Sequence, residues 1–298
     1  MSGTSINNTW FTHFSLVREL NMKVRYTTLS PLRIGASRGK SLFTPVDLQV
    51  IRMMLNGKEV PYIPGSSLKG VFRSTAEMLL RLHGKKVCNM GQCSKESIKD
   101  KSRDEYLQDA IHEYNRTAEI SAMEKIINIL EGYCLVCKIF GSNTYASHIT
   151  FNDAYPIDDA SIGVKTGIAI NRRSGAAQRG ALYQVEFVNP GTSFYGNIKC
   201  INLPNYAVGL ILYIIERMIN TRIVNIGGFK SRGFGNIKID IEDINGIIVE
   251  DGKVKDIRAI DKFKALDEYD KDVNKADNIN ELGKGFISSW DHYVSTNN

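Results

Sequence analysis

Ile226–Gly235 reads I-G-G-F-K-S-R-G-F-G, and Asn236–Ile241 behind it reads N-I-K-I-D-I. Gly227, Gly228, Gly233 and Gly235 fall within nine residues, interleaved with Phe229, Lys230, Ser231, Arg232 and Phe234. Glycines let backbone N–H groups approach a phosphate closely, and Lys230 and Arg232 add positive charge. Phe229 or Phe234 offers a base a stacking surface. The stretch predicts a loop leading into a strand. The R-G-F-G match to single-strand readers is discounted, because it follows a helix instead of sitting on a central strand.

Working outward, Ala207–Ile219 is apolar and long enough for a buried helix. Before it, Leu182–Val188 and Ser193–Ile201 read as strands joined at Asn189-Pro190-Gly191. His148–Ala154 and Met22–Leu29 also read as strands. Between those two, Ile63–Gly70 (I-P-G-S-S-L-K-G) turns the chain into a helix. Leu68, Val71, Phe72, Leu79 and Leu82 form its apolar face, and Gly84 stops it. Residues 85–137 read as an insertion with a helix near Ile120–Leu130. Without the insertion the order is β-α-β-β-α-β, an α+β, ferredoxin-like (RRM-like) unit. It spans residues 1–241, opening on an arm (1–19) and carrying a mobile loop before Pro61. Residues 242–298 are predicted as a hairpin at Asn245-Gly246 and Asp251-Gly252, then an acidic helical tail.

Composition bounds the partners. At 43% hydrophobic and 23% charged over 298 residues, the chain is an ordinary globular one. No run is apolar and long enough to span a bilayer, and the polar start carries no secretion signal, which predicts a cytoplasmic protein. The formal charge of +6 is unevenly placed. From Asp240 onward 14 acidic residues face 8 basic ones, whereas residues 1–239 hold 30 basic and 18 acidic. A basic body suits a polyanion. Besides the glycine-rich loop, three basic clusters lie at loop positions. They are Arg33, Ser37, Arg38 and Lys40; Ser66, Ser67, Lys69 and Arg73 at a helix start; and Arg172, Arg173 and Arg179 in a protruding segment. All are candidate RNA-binding residues.

Cys88-x4-Cys93 and Cys134-x2-Cys137 suit tetrahedral, structural zinc, with His83 an alternative ligand; free buried thiols or a redox pair are the competing readings. Cys200 lies in a strand and reads as core.

S-P-L-R-I-G-A-S (Ser30–Ser37), Y-I-P-G-S-S-L-K-G (Tyr62–Gly70), C-K-I-F-G-S (Cys137–Ser142), T-F-N-D-A (Thr150–Ala154) and I-G-G-F-K-S-R-G-F-G occur in that order. Together they resemble the RAMP superfamily of CRISPR-associated proteins, nearest the backbone subunit of type III effector complexes. The resemblance implies a palm stacked along a guide RNA, other effector subunits and copies of itself as neighbours, and a thumb at about Val164–Tyr183 that kinks the guide–target duplex. It places Lys69, Arg73, Lys230, Ser231 and Arg232 on the guide backbone. It also implies a loop aspartate that cuts target RNA with Mg or Mn, a metal-dependent endoribonuclease activity. Val46-Asp47-Leu48-Gln49-Val50-Ile51 matches that context, so the role falls on Asp47; the extra stretch Ile51–Glu59 departs from the pattern. Three other readings stand beside it: a non-catalytic filament or cap subunit, a histidine-dependent guide-processing endoribonuclease, and a ribosome- or tRNA-associated binder.

Overall fold

The computed structural model describes residues 10–35, 46–88, 92–98 and 100–296. The fold is mixed α+β with several antiparallel sheets. In chain order the elements are β1 (Arg18–Thr28), β2 (Arg52–Leu55), β3 (Lys58–Pro61), α1 (Gly65–Leu82), β4 (Ser97–Ile98), β5 (Lys101–Ser102), α2 (Arg103–Thr117), α3 (Ile120–Glu131) and α4 (Leu135–Phe140). Then come β6 (Ile149–Phe151), β7 (Tyr155–Pro156), β8 (Ile162–Ile170), β9 (Ala177–Val188), β10 (Ser193–Ile201), α5 (Asn205–Tyr213), β11 (Ile237–Glu250), β12 (Lys253–Asp256), β13 (Lys262–Phe263), β14 (Val273–Asn274) and α6 (Ile279–Thr296).

The main sheet runs β12-β11-β1-β10-β6, all antiparallel, with β7 continuing along β10. Strict alternation in β1 buries Leu20, Met22, Val24 and Tyr26 and turns Asn21, Lys23, Arg25 and Thr27 outward. In β10, Phe194, Ile198 and Cys200 face the core. The buried faces meet α1 and α5, whose Leu68, Phe72, Leu210 and Ile211 are fully buried. On the other face Arg25 pairs with Glu242 at 3.3 Å, which also accepts from the Tyr195 hydroxyl at 2.7 Å. That face is occupied by mutually paired polar groups.

Both core helices begin behind a proline that has no side chain to cap them, Pro64 and Pro204. Each start is satisfied from elsewhere in the chain. Asp153 Oδ1 accepts from the Gly65 N–H at 2.7 Å. Buried Asp270 accepts from Asn205 N at 2.9 Å, Tyr206 N at 3.1 Å, Leu266 N at 3.0 Å and Ser289 Oγ at 3.1 Å. Arg18, buried and facing Asp270, donates to the Leu203 carbonyl at 2.9 Å. Burial lowers its guanidinium to about 10. Gly65 and Gly209 allow close approach: a Cβ would overlap the Phe151 carbonyl at the first and the Phe286 carbonyl at the second. After α5 the backbone passes through one wider π turn (Ile214–Ile219), closed by Asn220 N to Ile215 O at 2.9 Å.

Several expectations change. Of the arm expected at 1–19, residues 1–9 lie outside the described residues, and the part that follows is docked: Trp10 and Phe11 are buried and Trp10 Nε1 donates to Asp267 at 2.8 Å. The segment before Pro61 is a hairpin, β2–β3. It turns at Asn56-Gly57, both at positive φ, a dipeptide that by itself signals a two-residue turn. Asn245-Gly246 is not a turn: both lie inside β11, opposite Asn21 and Leu20, and the chain reverses at Asp251-Gly252. The boundary drawn after residue 241 therefore falls within a strand. The tail is helical only from Ile279, and before that β13 and β14 pair. Apolar positions in α6, Phe286 and Trp290 among them, pack it into the core. In the insertion, α2 carries a full capping box between Ser102 and Glu105. Among the described residues no helix is long and apolar enough to cross a membrane.

Candidate nucleic-acid interface and cysteine cluster

Four sequence-distant segments meet at the end of the sheet where β1 finishes. The loop after β1 and the glycine-rich loop are stitched by Gly228 N to Arg33 O at 2.8 Å and Gly235 N to Pro31 O at 2.9 Å. Asn236 N donates to Ser30 Oγ at 2.9 Å. Gly227 (φ +85°) and Gly235 (φ +83°) adopt left-handed backbone, and a Cβ there would overlap the carbonyls of Arg33 and Ile226. These glycines therefore serve loop-on-loop packing, a requirement the spacing alone did not reveal. Lys230–Arg232 form an exposed single turn between Phe229 and Gly233, both with positive φ. Phe234 is buried against Phe187 and Phe229, so of the two phenylalanines only Phe229 remains partly accessible.

The β8–β9 hairpin, Ile162–Val188, leans over this loop. Arg232 donates to the Tyr183 hydroxyl and lies 4.9 Å from the Phe229 ring centre. Tyr183, Phe229, Arg232 and Lys165 line a cavity of about 310 Å³. Arg33 also lies over Phe229, at 5.3 Å, and burial lowers its guanidinium. Arg172 and Arg173 are exposed in the hairpin turn. Below the turn Ile168 and Leu182 face each other in open solvent. The combination of cations, a partly open aromatic and a slot can take a polyanion with unstacked bases.

Asp47 belongs to the same assembly. Leu48 N donates to Gln184 O at 3.0 Å and Glu186 N to Leu48 O at 2.9 Å, so residues 47–50 run along the base of the hairpin. The Asp47 side chain is exposed, and its Oδ2 accepts from Gln184 N at 2.8 Å. Glu186, which the sequence did not single out, holds the segment from below through Val50 N at 3.1 Å and Arg52 at 2.9 Å.

At the start of α1 Ser66 is exposed and Ser67 and Lys69 are half-buried, but the first N–H already meets Asp153. Lys69 is part-buried and held below the usual lysine range, first by burial and then by Arg73. Arg73 turns inward, donating to Gly141 O at 2.8 Å and Cys137 Sγ at 3.5 Å and pairing with Glu77 at 3.3 Å. Ser37, Arg38 and Lys40 lie outside the described residues.

The cysteine cluster sits near the other end of β1. The sulfurs of Cys88, Cys93, Cys134 and Cys137, all buried, lie within 4.8 Å of one another. Cys88 is 3.4 Å from Cys137 and 3.7 Å from Cys134. Zn–S bonds of about 2.3 Å set tetrahedral S···S edges near about 3.8 Å, so the four thiols fit a closed zinc site. Hydrogen bonds from the Cys137 and Cys93 thiols pull Cys134 toward thiolate. The Arg73 guanidinium beside Cys137 offsets part of the charge such a site carries. His83 lies against the Trp290 ring and takes no place in the four-sulfur group.

His148, the buried histidine, has Nδ1 on Ile201 O at 2.9 Å and Nε2 on the Tyr145 hydroxyl at 2.7 Å. Burial, with His13 stacked at 4.0 Å, lowers it to about 4. With both nitrogens occupied it offers no general base.

A family model described as the RAMP superfamily matches residues 25–238. No curated protein matches the chain.

Proposed function

We propose, from the premise that this chain belongs to the RAMP superfamily, that it is a guide-RNA-binding backbone subunit of a type III CRISPR effector complex. In this reading β1, α1, β6, β10, α5 and β11 are a ferredoxin-like palm and the β8–β9 hairpin is the thumb. Arg33, Lys69 and Lys230–Arg232 hold guide phosphates, and Arg172 and Arg173 reach the duplex from the thumb tip. Arg38 and Lys40, outside the described residues, are further proposed RNA contacts on the strength of their charge. Arg73, directed at the cysteines, keeps α1 in place beside them. The observation that carries the reading is the convergence of the Arg33 loop, the Asp47 segment, the thumb and the glycine-rich loop at one end of the sheet.

Asp47 is the proposed cleaving residue. Its exposed carboxylate orients a ribose 2′-hydroxyl for attack on the adjacent phosphate. It is a single carboxylate, so Mg or Mn beside it would keep water and RNA phosphates as its other ligands. One observation favours a second reading, a non-catalytic scaffold: Asp47 Oδ2 is already engaged by the Gln184 N–H. Reconstitution with guide RNA and an end-labelled complementary target separates the two. Asp47→Ala should abolish regularly spaced cuts while leaving target binding equal. Unchanged cutting assigns the nuclease elsewhere and leaves this chain a scaffold.

A further inference from the structure

A cavity of about 560 Å³ opens at the opposite end of β1, beside the start of α5. An eleven-residue strand separates it from the glycine-rich loop by roughly 33 Å. Its walls are aromatic. Trp10 and Tyr206 are buried there, both donating to Asp267 Oδ2 at 2.8 Å, and Tyr206 stacks on Tyr293 at 4.3 Å. Tyr269 stands at the rim, 43% exposed.

The charge lining this cavity is unbalanced. Glu131, Asp267 and Glu268 face one cation, Lys138, whose ammonium is drawn 4.4 Å from the centre of the Phe11 ring. Among the described residues none of the three carboxylates forms an ion pair within 4.0 Å. Glu131 ends α3, a helix with no basic residue in its last turn, so the helix dipole adds further negative potential. Burial lifts the Asp267 carboxyl above the usual range, and a cation in the cavity would relieve that. RNA phosphate is repelled here. A planar cation that stacks on tyrosine and hydrogen-bonds carboxylates is favoured, which describes guanidinium better than ammonium.

We infer that this cavity is a docking site for an arginine side chain presented by a protein partner. It recognises the guanidinium against the exposed ring of Tyr269, which Tyr293 buttresses edge-on at 6.5 Å, and through the carboxylates of Asp267 and Glu268. The site does not depend on the RNA-binding reading.

The test uses the full chain labelled with 5-fluorotryptophan, whose two tryptophans are told apart by Trp10→Phe. The blocked tripeptide acetyl-Gly-Arg-Gly-amide should shift the Trp10 fluorine resonance saturably. The lysine analogue should bind more weakly and the glutamine analogue should leave the resonance in place. Glu268→Gln and Tyr269→Ala change exposed residues, and each should weaken the arginine peptide about fivefold. Glu268→Asp should restore part of the affinity. A glutamine peptide that shifts Trp10 equally would reduce the cavity to an apolar slot and overturn the inference. So would the lack of any saturable shift, or a response to oligouridylate in place of the peptide.

Discussion

Replacing Asp270 by alanine tests how the C-terminal segment is held. The carboxylate is 8% exposed and accepts from three backbone N–H groups and one hydroxyl, all at 2.9–3.1 Å. Alanine leaves Asn205 N and Tyr206 N without acceptors at a buried helix start and leaves Arg18 without its facing charge. A stranded buried donor costs about 1–3 kcal/mol, and three backbone donors lose their acceptor. Some water will enter, so the expected loss is about 3–5 kcal/mol for Asp270→Ala. Asp270→Asn keeps one acceptor oxygen and should lose roughly half as much. Against a total stability of about 5–15 kcal/mol that is a large fraction. Urea unfolding followed by circular dichroism measures it, and hydrogen exchange should show protection lost first in α6 and the first turn of α5. A loss below about 1 kcal/mol with α6 still protected would refute the reasoning.

Other expectations follow from the same geometry. Gly65→Ala drives a methyl into the Phe151 carbonyl, so α1 must shift from β6 at a cost of about 1–3 kcal/mol, read from the urea midpoint. The purified chain should contain about one zinc ion by elemental analysis, and Cys137→Ser or a strong chelator should make residues 88–134 protease-sensitive; trace metal in a stable protein would remove zinc from the account. For His148 the folded value near 4 lies below the unfolded 6.5, so protonation favours unfolding. Stability is then full above pH 6.5 and falls toward pH 4 by roughly 3 kcal/mol; His148→Gln should flatten that part of the urea-midpoint profile, and an unchanged slope would assign it to other groups.

The sequence made the sheet-forming strands and both core helices readable, because β1 and α1 carry clean periods of two and 3.6. Pairing at a distance was harder to read. Nothing local to I-P-G-S-S announces that Asp153 fills the helix start, or that Asp270 does so for α5. Gly246 reads as a turn because its dipeptide permits one; in fact it lies in β11, and glycine is needed there because a Cβ would strike the Glu19 carbonyl of the neighbouring strand. In the candidate site, the cysteines were legible from spacing and Asp47 from its resemblance alone. Tyr183, Lys165 and Glu186 were not, since they matter only once the hairpin folds over the loop. The acidic tail offered too little pattern to separate β13–β14 from the helix, and the apolar positions of α6 gave no hint of which surface they would cover.

The two proline-led helices also set an order of events during synthesis. The acceptor for α1 lies 88 residues downstream of Gly65, and that for α5 lies 65 residues beyond Asn205. Neither helix start has its protein acceptor when its own residues leave the ribosome, and until that acceptor emerges only water can serve it. The first must wait for Asp153, just past β6, and the second for Asp270. A nascent chain halted before Asp270 would already hold the glycine-rich loop while α5 still frayed at its beginning. Synthesis must therefore pass Asp270 before the beginning of α5 is held by the rest of the fold.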